Sequence, residues 1–185
     1  MINNQNCLPA IASMKDYEKF LKSSLEWCIL LDFHISLIEG MIKDAHKVDK
    51  KVIVHLDLIK GISTDEYGCE FICQKYKCDG IISTKSKVIE SAKKNKKIAI
   101  QRMFLIDSRS LEKGYNQLKV SRPDYVEILP GIAYEILPEV KGQLQMPLMS
   151  GGLIKDYDMI NRCIDYGATL VSVGSVDLAI SYASK

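Results

Sequence analysis

The sequence predicts an α/β fold, a compact TIM-like (β/α)8 barrel occupying residues 1–185 as a single domain. Three observations predict it. Eight short apolar runs alternate with eight amphipathic segments, and strict alternation implies a mainly parallel sheet with helical crossovers. Most of the runs are rich in Ile, Val and Leu, as strands buried on both faces should be. The last two runs stop in Ser150-Gly151-Gly152 and Ser172-Val173-Gly174-Ser175, where the loops after strands seven and eight of a barrel often hold phosphate. An open doubly wound sheet is the competing arrangement, and eight regular units favour closure. Each unit takes about 23 residues, compact beside the roughly 250 residues typical of the fold.

The elements follow in order. Leu8–Ala12 is the first strand candidate, and Lys15–Leu25 the first helix, with Tyr17, Phe20, Leu21 and Leu25 on one side. Trp27–Leu31 is the second strand; Ile35–Val48 then places Ile35, Ile38, Met41, Ile42 and Ala45 on one helical face. Lys51–Asp57, the third strand, ends in His55 and Asp57, two apart and so on one face. Thr64-Asp65-Glu66 offers capping chemistry for a helix over Asp65–Tyr76. Asp79–Thr84 precedes the helix Ser86–Asn95, and Lys97–Phe104 precedes Ser108–Lys119, which Ser108 would cap. Tyr125–Pro130 leads into Ile132–Lys141, Pro147–Ser150 into Asp156–Tyr166, and Ala168–Gly174 into Val176–Ala183.

Composition narrows the function. The chain is 47% hydrophobic and 26% charged, ordinary for a soluble globular domain. It has no apolar run of the length a membrane span needs, and its first residues, Met1-Ile2-Asn3-Asn4-Gln5-Asn6, lack a signal pattern. The expected location is the cytoplasm, with no membrane partner. A net charge of +2 does not demand a nucleic acid. Cys7, Cys28, Cys69, Cys73, Cys78 and Cys163 show no CxxC pair, so reduced, partly buried thiols are expected rather than a metal site, and no cofactor is called for.

In a parallel barrel the chemistry lies at the carboxyl ends of the strands. There the sequence places His55 and Asp57, Ser83 and Thr84, Gln101 and Arg102, Glu127, and the two small-residue turns. Glycines let backbone N–H groups approach an anion, and the next helix adds its partial positive charge. Ser150, Gly151, Gly152, Ser172, Gly174 and Ser175 are therefore the phosphate-site candidates. Glu127 interrupts an apolar strand, where a carboxylate is costly unless paired. Since neighbours alternate, either Gln101 or Arg102 faces inward. Asp57, Arg102 and Glu127 are the candidates for the hydroxyl end of a ligand; a structural pair of Arg102 with Glu127 or Asp57 is the alternative. For His55, a core histidine with its partners satisfied stands beside a functional one. These groups would serve a sensor of a small phosphorylated polyol, or an isomerase or lyase using Asp57 or Glu127 as base.

The segments His55–Ile59, Asp79–Thr84, Ile100–Ser108 (IQRMFLIDS), Pro123–Gly131 (PDYVEILPG) and Ser150–Ile154 resemble the glycerol uptake operon antiterminator family of bacteria. The resemblance runs from about Pro9 to Ser175. It implies a compact barrel that binds glycerol 3-phosphate, and a regulator without enzymatic activity that binds the mRNA leader of glycerol-utilisation genes and prevents premature termination. On that basis phosphate falls to Gly151-Gly152 and the Ser172–Ser175 turn, and Asp57, Arg102 and Glu127 line the glycerol end. The chain departs from the family pattern at Lys60, at Val171–Ser175 and at Leu178-Ala179. RNA binding rests on the resemblance, and the candidate surface for it is Lys85, Lys87, Lys93, Lys94, Lys96 and Lys97, with Arg109, Lys113, Lys119 and Arg122 nearby in sequence. The competing reading of the 93–97 run is a solvated helix end, its lysines favouring the C-terminal dipole.

Overall fold

A computed structural model describes residues 1–184. Eight strands close into a parallel barrel in chain order, each neighbour hydrogen-bonded to the next. They are β1 (Cys7–Ile11), β2 (Trp27–Leu30), β3 (Lys51–His55), β4 (Gly80–Ser83), β5 (Ile98–Phe104), β6 (Tyr125–Leu129), β7 (Leu148–Gly151) and β8 (Leu170–Val173). The crossovers carry α1 (Met14–Lys22), α2 (Ile35–His46), α3 (Glu66–Phe71), α4 (Ser86–Lys94), α5 (Ser108–Ser121), α6 (Leu137–Leu144) and α7 (Tyr157–Asp165), and α8 (Val176–Ala183) follows the last strand. The barrel expected from alternation is thus the fold, and the open sheet is excluded. No helix among the described residues is long and apolar enough to cross a membrane.

The boundaries differ from the sequence reading where side chains take over from the ladder. β3 stops at His55, and Leu56–Leu58 forms a 3-10 turn, so Asp57 is not on the strand and does not share a strand face with His55. The third helix becomes a π turn over Ile72–Tyr76 and ends at Lys77, whose φ is +60°. Asp107 rather than Ser108 caps α5: its carboxylate accepts from the Ser110 N–H at 2.7 Å, and the Ser110 hydroxyl accepts from the Asp107 N–H in return. The sixth crossover is a 3-10 segment, Gly131–Ile136, followed by α6 with Pro138 in its first turn, where proline's missing N–H has no bond to lose.

The register fixes the interior. Followed once around the barrel it closes with an offset of eight residues, the shear usual for this architecture. Inward side chains therefore fall into layers of four from alternate strands. From the amino end these are Trp27, Gly80, Tyr125 and Leu170; then Leu8, Ile53, Ile100 and Met149; then Ile29, Ile82, Glu127 and Ser172; and at the mouth Ala10, His55, Arg102 and Gly151. The apolar members form one buried cluster, closed at the amino end by Ile2, whose N–H donates to the Tyr125 hydroxyl at 3.0 Å. A second, larger cluster lies between the sheet and the helices and takes the apolar faces of α2 and α4.

The helix layer distinguishes two glycines. A Cβ at Gly68 would stand 2.0 Å from the Ser63 carbonyl oxygen, whereas one at Gly40, inside α2, would meet nothing within 4 Å. Gly68→Ala should cost about 1–3 kcal/mol, and Gly40→Ala should add about 0.5–1 kcal/mol through helix propensity. Urea unfolding of the two variants beside the parent checks both signs.

Candidate ligand site at the barrel mouth

Within the four interior layers the charged and imidazole side chains lie in the upper two, Glu127 with Ser172 in one and His55 with Arg102 in the other, while Lys51, inward by alternation, lies below them at the amino end and pairs with Glu26. Glu127 is fully buried, 0% exposed. Both of its oxygens are engaged: Oε2 accepts from Arg102 Nε at 2.6 Å, and Oε1 accepts from the Ser172 hydroxyl at 3.0 Å. A Cβ on Gly151 would lie 2.1 Å from Ser172 Oγ and 3.0 Å from Glu127 Oε1. Glycine at 151 is thus what the buried carboxylate and its hydroxyl partner require. The Arg102–Glu127 pair expected as a structural possibility is formed, and at the mouth end of the core. Arg102 uses Nε for it, leaving the terminal nitrogens of the guanidinium for other acceptors.

Alternation resolves the neighbouring pair. Gln101 faces the helices: its Oε1 accepts from the Ser121 hydroxyl, and its Nε2 lies 3.3 Å from Ser86 Oγ. Ser150 likewise points outward, towards the Cys163 thiol of α7, so at this strand end it can offer an anion only its backbone.

Asp57 is already committed. Oδ1 accepts from the Ser83 hydroxyl, and Oδ2 accepts from the Thr84 N–H and hydroxyl, both at 2.7 Å. Its carboxylate ties the turn after β3 to the end of β4 and supports the wall of the mouth.

The two small-residue turns sit above Gly151 and Ser172. Gly152 has φ +81° and Leu153 φ +63°, a left-handed pair favoured by glycine at the first position. The Gly152 carbonyl accepts from the Gly131 N–H at 3.0 Å. Ser175 caps α8, its hydroxyl accepting from the Leu178 N–H at 3.2 Å, and Gly174 is open on its Cβ side. The hydroxyls of Ser172 and Ser175 are therefore occupied within the protein, and what these turns can offer an anion is backbone N–H groups and the start of α8.

His55 is the residue the sequence could not place. It is 1% exposed, and neither ring nitrogen has a hydrogen-bond partner. Burial, together with the Arg102 charge, lowers its pKa to about 4, against smaller opposing pulls from Glu127, Asp57 and the residue's own backbone, whose approach to the ring falls short of a hydrogen bond. The ring is neutral at physiological pH.

The lysine candidates divide. Lys85 is at the mouth, its Nζ donating to the Thr64 carbonyl at 2.7 Å. Lys93, Lys94, Lys96 and Lys97 lie at the opposite, amino end of the barrel. There Lys93 pairs with Asp124, and Lys94 shares a groove with Glu66, Glu70 and Glu90. All six cysteines are buried free thiols. No group of three or more His, Cys, Asp or Glu among the described residues is placed to hold a metal ion.

Residues 7–178 match the model of a family described as glycerol-3-phosphate responsive antiterminator. The chain belongs to that family. Among solved structures, a glycerol uptake operon antiterminator regulatory protein from Listeria monocytogenes superposes with a TM-score of 0.91 at 37% identity, covering 94% of each chain. An antiterminator-related protein from Thermotoga maritima gives 0.82 at 26% identity, covering 95% of this chain and 98% of its own. The protein YgcP of Escherichia coli K12 is 31% identical over 89% of this chain and 87% of its own length. Aldolases and orotidine 5′-phosphate decarboxylases share the fold alone, at 10–17% identity.

Two outcomes follow from the site of this antiterminator-family chain. Removing one member of a buried ion pair strands the other, whereas replacing both by apolar groups is often tolerated. Glu127→Leu should cost about 3–5 kcal/mol, and Arg102→Met combined with it should recover most of that loss in urea unfolding. The second concerns pH. The His55 pKa is about 4 folded against about 6.5 unfolded, so between these values the unfolded chain binds more protons. Its contribution is fully present above about pH 6.5 and is lost as pH falls towards 4, by up to about 3 kcal/mol. Unfolding at pH 7.5 and pH 4.5 should show His55→Phe with a shallower pH dependence than the parent.

Proposed function

We propose that the chain is a glycerol-3-phosphate-responsive regulator, acting in the cytoplasm, that takes its effector at the barrel mouth and in that state binds the mRNA leader of glycerol-utilisation genes. The observation that carries the ligand half is the cluster of Glu127, Ser172, His55 and Arg102 in the two layers directly beneath the turns at Gly152 and Gly174. A phosphate would rest on the backbone of Gly151-Gly152 and of Gly174-Ser175, with the start of α8 behind it. The glycerol end would descend towards Arg102 and Glu127, with Asp57 holding the wall. Family membership supports the regulatory half.

Binding can favour an RNA-competent state only through different affinities for two states of the protein. The βα loops at the mouth are the segments an effector there would touch. Lys85 and, at the start of α5, Arg109 and Lys113 lie on that side, so they are the better RNA contacts. Lys93, Lys94, Lys96 and Lys97 stand a barrel length away among acidic partners.

Calorimetry with glycerol 3-phosphate, glycerol and inorganic phosphate tests the ligand. Selective binding of the ester, weakened at least about tenfold in Gly152→Asp, is expected. Leader-RNA affinity should then rise with glycerol 3-phosphate, and glutamates at Lys85, Arg109 and Lys113 should flatten its salt dependence. Turnover of the ester or of triose phosphates, lost in Glu127→Gln, would instead make the protein an enzyme.

A further inference from the structure

We propose that His55 contacts the ligand directly, its neutral imidazole reading a hydroxyl beside Arg102 and Glu127, so that the site selects a phosphorylated polyol over a phosphate ester without hydroxyls. The inference deepens the ligand reading above and rests on it.

The starting point is a buried ring whose two nitrogens both lack a partner. Buried polar groups nearly always have one, and an orphan costs stability. A histidine serving only as core filling would be bettered by Phe or Leu at the same place. Its position supplies a reason. The uppermost layer sets His55 and Arg102, on β3 and β5, against Ala10 and Gly151, on β1 and β7. Two large polar side chains thus share a layer with two of the smallest residues. A molecule held by the turns after β7 and β8 enters over the small pair and meets the polar pair across the layer.

The chemistry of the three groups is complementary. Arg102 only donates hydrogen bonds and ionised Glu127 only accepts them, while a neutral imidazole does one of each. A hydroxyl also donates and accepts, so it can satisfy the ring in either sense. A phosphate dianion offers acceptors alone. Burial and the Arg102 charge keep the ring in the neutral form that this requires. Both ring nitrogens are shielded from solvent, so contact requires the side chains around the ring to shift as a ligand enters. The Arg102 hydrogen bond to Glu127 runs through Nε, which leaves the terminal nitrogens of the rigid guanidinium as donors for the same ligand.

The test compares glycerol 3-phosphate with n-propyl phosphate, which has no hydroxyl, on the full chain and on His55→Phe and His55→Gln. The parent should prefer glycerol 3-phosphate. His55→Phe should lose at least about tenfold in affinity for it, and the preference over propyl phosphate should collapse. His55→Gln, which keeps a donor and an acceptor, should recover part of both. Without ligand, the Tm of His55→Phe should equal or exceed that of the parent, because two unpartnered atoms are gone. On the unsubstituted protein, imidazole 15N shifts should move to a single tautomer with glycerol 3-phosphate and not with propyl phosphate.

An unchanged preference in His55→Phe, with the parent binding glycerol 3-phosphate, would overturn the role of His55 and leave the ligand reading intact. A lowered Tm with equal losses for both esters would make His55 structural and overturn it as well, and so would imidazole shifts that do not respond to saturating ligand. Failure of the parent to bind glycerol 3-phosphate would overturn both readings.

Discussion

The Arg102–Glu127 ion pair constrains much of what surrounds it. A carboxylate with no exposure must have partners for both oxygens, and here they come from β5 and β8. Ser172 can reach Glu127 only because β7 carries no side chain at Gly151. Four consecutive strands are thereby locked in one register by a single charged group. Such a pair is rarely the most stable way to fill a core, since well-packed apolar residues often do as well or better. Its position at the mouth, with the guanidinium's terminal nitrogens uncommitted, fits the ligand role proposed for it.

The barrel separates stability from chemistry along its axis. The two lower layers are apolar, and Ile2 closes them off beneath Tyr125. The two upper layers hold Glu127, Ser172, His55 and Arg102, and the glycine turns stand above them. This division is general in the architecture, which hosts enzymes and non-enzymes alike by varying one end. The reading proposed for this chain rests on family membership and on the groups at the mouth, where Asp57 bonds to Ser83 and Thr84 and Glu127 to Arg102 and Ser172.

The fold was legible because eight apolar runs and eight amphipathic segments leave few topologies open. Strand ends were less so. Lys51–Asp57 reads as one run, but Leu56–Leu58 turns away and Asp57 bonds to Ser83 and Thr84 instead of following His55 into the barrel. Alternation narrowed the inward residue of β5 to Gln101 or Arg102, and only the closed register decides for Arg102. Glu127 was visible as a lone charge in an apolar strand. Ser150, Ser172 and Ser175 were not separable from the glycines beside them, because which hydroxyls are spent on Glu127 or on a helix cap depends on contacts far apart in sequence. The unpartnered state of His55 has no sequence signal; it arises from a layer shared with Ala10, Arg102 and Gly151. The basic run at Lys93–Lys97 looked like one surface, yet it sits at the amino end of the barrel with acidic neighbours.

The most direct test of the account is a crystal structure with glycerol 3-phosphate bound. The account predicts phosphate oxygens on the backbone of Gly151-Gly152 and Gly174-Ser175, and hydroxyls within hydrogen-bond reach of Arg102, Glu127 and His55. A ligand bound elsewhere, or phosphate lying against Arg102 with the glycerol turned out to solvent, would contradict it.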